Sequence, residues 1–107
     1  ISMKHAAVLA GLGTLGKSTL LLNRQYGNML NLGAVLTNLN LLSDTPADRI
    51  CIEGCSQCIE NCPVNAINVD GVNQKLCRNN TYASNDRGFD VVNCNKCRTK
   101  CPMAFGK

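Results

Sequence analysis

The sequence predicts an α+β chain built from two unlike parts: an N-terminal helix and β-hairpin, then a part held together through its cysteines. Three observations carry this reading. Residues 1–42 are rich in Leu and hold no Cys, whereas residues 51–101 hold all 8 cysteines and few large apolar groups. The helix formers of residues 4–10 run into Gly11, and glycine just past a helix is a common stop. Residues 30–42 alternate in the manner of a strand. A segment so poor in apolar groups cannot close a core by burial alone, so the second part needs metal or disulfide staples.

The elements follow in order. Lys4-His-Ala-Ala-Val-Leu-Ala10 is the helix, with Gly11 as its cap, and residues 11–16 form a glycine-rich turn. Residues 19–22 suit a short strand or a further helical turn, and residues 23–28 read as a turn. Beyond them, Leu30, Leu32, Ala34 and Leu36 fall on one face and Asn31, Gly33, Val35 and Thr37 on the other. Residues 19–40 are therefore expected to form the hairpin. Ser43-Asp-Thr-Pro46 is the expected boundary. It separates a unit of residues 1–44 from a unit of residues 45–107, where the texture changes to short Cys-bounded turns.

Composition excludes several classes. At 107 residues the chain is one small domain or a piece of a larger one. Only 17% of residues are charged, and Trp is absent. Ample Leu with so little charge argues against disorder. No apolar run approaches the roughly 18 residues of a membrane helix. The opening Ile1-Ser-Met-Lys-His5 lacks the regions of a signal peptide, so a cytoplasmic protein without membrane contact is expected. The net charge of +4 is spread over scattered Lys and Arg, not clustered as in a nucleic-acid patch.

The strongest signal is a repeat. Cys55-Ser-Gln-Cys58-Ile-Glu-Asn-Cys62-Pro63 and Cys94-Asn-Lys-Cys97-Arg-Thr-Lys-Cys101-Pro102 share the pattern C-x-x-C-x-x-x-C-P. That pattern matches the last three ligands of the bacterial ferredoxin run, in which the Cys before Pro serves the other iron–sulfur cluster. By this match one [4Fe-4S] cluster takes Cys51, Cys55 and Cys58, with Cys101 crossing over. The second takes Cys77, Cys94 and Cys97, with Cys62 crossing over. All eight cysteines are used, and the second part is expected to be ferredoxin-like. The spacing departs at two places: three residues separate Cys51 from Cys55, and Cys77 stands 17 positions before Cys94. Gly54 gives the first loop its freedom, and the second departure is an insertion. Two oxidised clusters, each about −2 with its thiolates, would bring the chain near neutrality. Disulfides and zinc are the alternatives. A secreted disulfide scaffold lacks a leader here. Zinc on Cys55, Cys58, Cys94 and Cys97 would leave Cys62 and Cys101 unexplained.

Gly11-Leu-Gly13-Thr-Leu-Gly16-Lys17-Ser18 fits both G-x-G-x-x-G and G-x-x-x-x-G-K-[ST]. Neither nucleotide reading has the surrounding domain it needs. A tight joint between elements and a backbone contact to some other cofactor both remain open. His5 has no partner at ligand spacing and reads as a surface or packing residue. Tyr82, Phe89 and Phe105 read as packing around the clusters, and Asp86, Arg87 and Asp90 as a solvated loop.

The residues from Lys4 through Gly11-Leu-Gly13, Gly16-Lys17, Thr19-Leu-Leu, Tyr26-Gly27 and Leu32-Gly33 to Thr37, followed by the two C-P endings, resemble epoxyqueuosine reductases. More distantly they resemble corrinoid reductive dehalogenases. The resemblance implies a reductase with cobalamin as its reacting cofactor, fed with electrons through two [4Fe-4S] clusters and acting on a tRNA nucleoside in queuosine synthesis. It implies that Gly13, Gly16, Lys17 and Ser18 belong to the part facing the corrinoid, although Thr14 and Ser18 depart from the usual aromatic and Asn. It also implies an electron donor such as a flavodoxin or ferredoxin. Contact with tRNA would come through regions other than this chain. The chain is expected to be a C-terminal fragment holding the electron relay and a remnant of the corrinoid domain, and not to reduce an epoxide alone. A stand-alone two-cluster electron carrier and a zinc-stabilised binding module are the alternatives.

Overall fold

The structure is a computed structural model that describes residues 2–107. Helix α1 spans Met3–Leu9, and the Ser2 Oγ caps it by accepting from the His5 N–H at 3.3 Å. Its end is closed by two bonds, Gly11 N–H to the Val8 carbonyl at 3.1 Å and Leu12 N–H to the Ala7 carbonyl at 3.0 Å. This pairing needs a left-handed residue at the end of the helix, and Gly11 supplies it with φ +81°. The predicted helix and its glycine stop are both present.

The hairpin is shorter and earlier than the alternation suggests. Strand β1, Thr14–Leu15, pairs antiparallel with β2, Leu21–Leu22. Its tip is closed by Gly16 N–H to the Leu20 carbonyl at 3.0 Å and Thr19 N–H to the Gly16 carbonyl at 2.9 Å. The expected turn at residues 23–28 does form, with Asn23 and Gly27 exchanging backbone bonds at 3.1 and 2.8 Å. Residues 30–42, however, form no strand. A strand exists only where a neighbouring edge accepts its backbone groups, and no described residue offers that edge. Leu30 and Leu32 stay half-buried, but from residue 35 on the large apolar side chains stand in solvent: Leu36 and Leu42 are fully exposed. The accessible surface, 8075 Å², exceeds the roughly 5,800 Å² usual for this mass, in keeping with an uncovered apolar strip.

The cysteine-bearing part is assembled from short pieces. Helix α2, Gln57–Glu60, precedes the hairpin of β3, Ile67–Asn68, and β4, Gly71–Val72. Helix α3, Gln74–Thr81, is capped by the Asn73 side chain, which accepts from the Leu76 N–H at 3.2 Å. A second hairpin joins β5, Tyr82–Ser84, to β6, Asp90–Val92, and α4, Lys96–Thr99, packs against α2. Small separate antiparallel sheets among short helices make the fold α+β. The buried apolar set is small: Ala7, Leu21, Leu22, Ile50, Ala66, Ile67 and Ala104.

One seam between the N-terminal elements and the cysteine part runs through Gly27 and Asn28. Asn28 is almost fully buried; its N–H donates to the Ala104 carbonyl at 3.0 Å and its Nδ2 to the Arg98 carbonyl at 3.1 Å. Beside it, Gly27 sits at φ +64° with the Met103 and Ala104 carbonyls where a Cβ would stand. Asn28→Ala is expected to lower the unfolding free energy by about 1–3 kcal/mol, because it leaves the Arg98 carbonyl without its buried donor; urea unfolding measures it. Limited proteolysis is expected to cut first within residues 33–42, ahead of any site in residues 50–107, because that stretch has the fewest backbone partners.

Candidate metal centre

The local structure gives each half of the cysteine repeat the same job. Cys58 lies in α2 and Cys62 just past its end, while Cys97 lies in α4 and Cys101 just past its end. Each short helix thus holds its middle Cys and carries the last one onward. Proline follows both last cysteines and brings no N–H of its own. Cys77 is carried by α3, and Cys94 stands just beyond β6. Cys51 and Cys55 flank a tight turn in which the Cys55 N–H donates to the Ile52 carbonyl at 3.2 Å and Gly54 takes φ +81°.

These pieces gather the thiols around two cavities. The smaller, about 20 Å³, is lined by Cys51, Cys55, Cys58 and Cys101, with Leu22, Ile52, Pro102 and Met103 beside them. The larger, about 120 Å³, is lined by Cys62, Cys77, Cys94 and Cys97, with Pro63, Val64, Ile67 and Val72. The two groups coincide with the two sets read from the repeat, each holding one Cys delivered from the other half. The packing of α2 on α4 makes this exchange possible, since the end of each helix reaches the other's cavity.

The electrostatics follow the same grouping. All eight thiols are free and half-buried. Burial pushes the Cys58, Cys97 and Cys101 thiols above their usual range, because a thiolate loses water there. Neighbouring thiolates add to this: Cys51 and Cys101 act on Cys58, Cys51 and Cys55 on Cys101, and Cys77, Cys94 and Cys62 on Cys97. Backbone groups at Ile59 and Met103, and the Arg98 guanidinium, oppose the rise. No carboxylate and no imidazole lines either cavity. Among the described residues, no three His, Cys, Asp or Glu side chains gather closely enough to share a single ion.

The glycine loop also has a defined place. Gly13 is buried with the Leu22 carbonyl where its Cβ would stand. Gly16, Lys17 and Ser18 line the cavity of Cys51, Cys55, Cys58 and Cys101. His5 is exposed on α1 with its ring against the Ser2 hydroxyl. Tyr82 and Phe89, read as packing for the clusters, are mostly exposed on the β5–β6 hairpin, and Phe105 is exposed as well; none of the three lines a thiol cavity. A short hairpin has only one covered face, and theirs is the other. Sequence reasoning missed two groups at the thiols. The Ala66 N–H donates to the Cys62 sulfur at 3.3 Å, and Thr81 Oγ1 lies 3.4 Å from the Cys77 sulfur while donating to the Cys77 carbonyl at 2.6 Å. Both stand four residues after a cysteine, a separation that one turn brings together. Asn28 carried no sequence signal at all.

The raised thiols set a pH dependence. An unfolded thiol titrates near 8.5, and the folded ones hold their protons to higher pH. Above the unfolded value the unfolded state binds fewer protons, so folding weakens as pH rises. The metal-free chain is expected to be most stable below about pH 8 and to lose stability as pH climbs through the folded values. Urea midpoints between pH 7 and 10 measure this; a midpoint that rises over that range contradicts the assignment.

Comparison with known proteins places the chain. It is 32% identical over 109 residues to an epoxyqueuosine reductase of Listeria monocytogenes, covering 91% of this chain and 28% of that protein. A Lactococcus garvieae epoxyqueuosine reductase is 33% identical over 94% of this chain and 31% of its own length. One from Synechocystis is 43% identical over 67 residues, 63% of this chain and 23% of that protein. The chain thus spans about three tenths of the length of the first two relatives. No family model and no solved structure matches it. No described helix is long and apolar enough to cross a membrane. Over the stretch it spans, the chain belongs to the epoxyqueuosine reductase family.

Proposed function

We propose that residues 45–107 form a ferredoxin-type electron-relay unit for two [4Fe-4S] clusters, serving a cobalamin-dependent reductase of the epoxyqueuosine type. The observation that carries this reading is the gathering of eight thiols into two crossed groups of four around two cavities. The donor set fits: thiolates alone are the usual ligands of such clusters, and neither cavity offers a carboxylate or imidazole that would favour another metal. A bound four-iron cluster supplies one-electron transfer. The chain's own residues supply the rest. Each set of four thiols holds one cluster as thiolates, whose charge repels within the set until iron compensates it. Leu22, Ile52, Pro102 and Met103 on one side, and Pro63, Val64, Ile67 and Val72 on the other, keep water from the sulfurs. The crossing of Cys62 and Cys101 ties the two sites into one body, so the distance between them is fixed and electrons can pass from one to the other.

Residues 1–44 are then part of the reductase domain, and cobalamin belongs to the longer protein. Gly13, Gly16, Lys17 and Ser18 would lie in the part that faces the corrinoid; on this chain Gly13 is packed on Leu22, and Gly16, Lys17 and Ser18 line the cavity of Cys51, Cys55, Cys58 and Cys101. No step on this chain passes through the corrinoid. A flavodoxin or ferredoxin would be the electron donor, in the cytoplasm, and tRNA would be bound elsewhere.

Protein purified without oxygen is expected to hold about eight iron and eight acid-labile sulfide per chain. Cys101→Ser should lose about half of each. Adding Cys51→Ser to it should lose nothing more, whereas adding Cys94→Ser should remove the remainder, since sites coupled through one cluster do not add. One or two zinc without sulfide, in folded protein, overturns the reading in favour of a zinc-stabilised module. Equal losses from both double variants overturn the crossed assignment.

A further inference from the structure

The glycine loop, which carries two nucleotide-like patterns, forms the tip of the β1–β2 hairpin, and that tip stands between the two thiol cavities. Gly16, Lys17 and Ser18 line one; Ser18, Thr19 and Leu20 line the other. Ser18 is buried and belongs to both. Gly16 lies close to the thiols: a Cβ there would stand 3.7 Å from the Cys51 sulfur, in ordinary contact, and 2.7 Å from Leu22 Cδ1.

Lys17 is the feature of this tip that packing does not explain. It is half-buried, and its Nζ donates to the Cys55 carbonyl at 2.6 Å. It is the one charged residue lining the cavity of Cys51, Cys55, Cys58 and Cys101. Fixing an ammonium in a partly buried place costs hydration and side-chain entropy, and a neutral side chain could fill the same space. The charge is held on the backbone of a cysteine whose thiol faces the cavity. The other cavity is lined by Lys4 and Lys96, neither of which is bonded to a cysteine backbone, and Lys96 is exposed to screening solvent.

We infer that Lys17 is a positioning residue for one of the two redox sites: it clamps the Cys55 turn onto the hairpin tip and raises the reduction potential of the cluster held by Cys51, Cys55, Cys58 and Cys101. The inference rests on the two-cluster reading. The physical reason is Coulombic. A cluster gains one negative charge on reduction, and a fixed cation nearby stabilises the reduced form more than the oxidised one, most strongly where solvent is thin. Lys4, also half-buried, lines the other cavity and the Arg98 guanidinium acts on Cys97, but among these cations Lys17 alone is fixed on a cysteine carbonyl, so its effect falls on one site.

The test is a redox titration followed by electron paramagnetic resonance on the anaerobically purified 107-residue chain, with iron and sulfide counted first. If the unaltered chain holds no iron and sulfide, the two-cluster reading itself fails. With clusters present, Lys17→Met should keep about eight iron and lower the midpoint potential of one cluster while the other stays in place. Lys17→Arg should restore most of the difference, because it keeps the charge. Lys17→Gln, which can still bond the Cys55 carbonyl, should show the same downward shift and serves as the probe if Lys17→Met loses its cluster. Unchanged potentials in Lys17→Gln, or equal shifts in both clusters, overturn the inference.

Discussion

Everything in this chain turns on how little apolar material it has to bury. The covered apolar residues are few, several are alanines, and the cysteine-bearing part is made of helices of four and eight residues and two-residue or three-residue strands. Helices that short do not persist alone. They are placed by packing on one another, α2 against α4 and α3 against β5. α2 and α4 matter less as helices than as brackets that each set one cysteine in its own cavity and send another to its neighbour's.

That arrangement carries an electrostatic cost for the thiolate form. Three of the thiols are held above their usual titration range, by burial and by one another. Without metal they stay protonated and contribute as small apolar groups. The seam at Gly27 and Asn28 fastens the N-terminal hairpin to the segment that delivers Cys101. The tip of that hairpin in turn becomes a wall of both cavities.

The long exposed stretch after residue 29 is the counterpart of this economy. Its alternating Leu and Ala residues are those of a strand, yet its backbone groups have no neighbouring edge and its side chains face water. A monomeric surface rarely leaves such a strip open. The homologous reductases are about three times as long as the stretch that matches.

The sequence by itself determined what depends on residues near one another in the chain. The first helix and its Gly11 stop, the turn at residues 23–28, the α+β class and the doubled C-x-x-C-x-x-x-C-P spacing were all legible, because capping, turn formation and Cys spacing are local. The match of that spacing to the ferredoxin ligand run gave the grouping of the thiols, and the two cavities are lined by those same two sets. The sequence could not determine where the strand pattern would find a partner. It therefore placed the hairpin at residues 19–40, while the chain pairs Thr14–Leu15 with Leu21–Leu22 and leaves residues 30–42 unpaired. Nor could it show that the glycine loop turns inward to the thiols, that Lys17 holds the Cys55 carbonyl, or that Asn28 joins two segments 70 residues apart. Those contacts are between residues distant in sequence, and only the tertiary structure decides them, because each requires two surfaces to be brought together before either group has anything to bond.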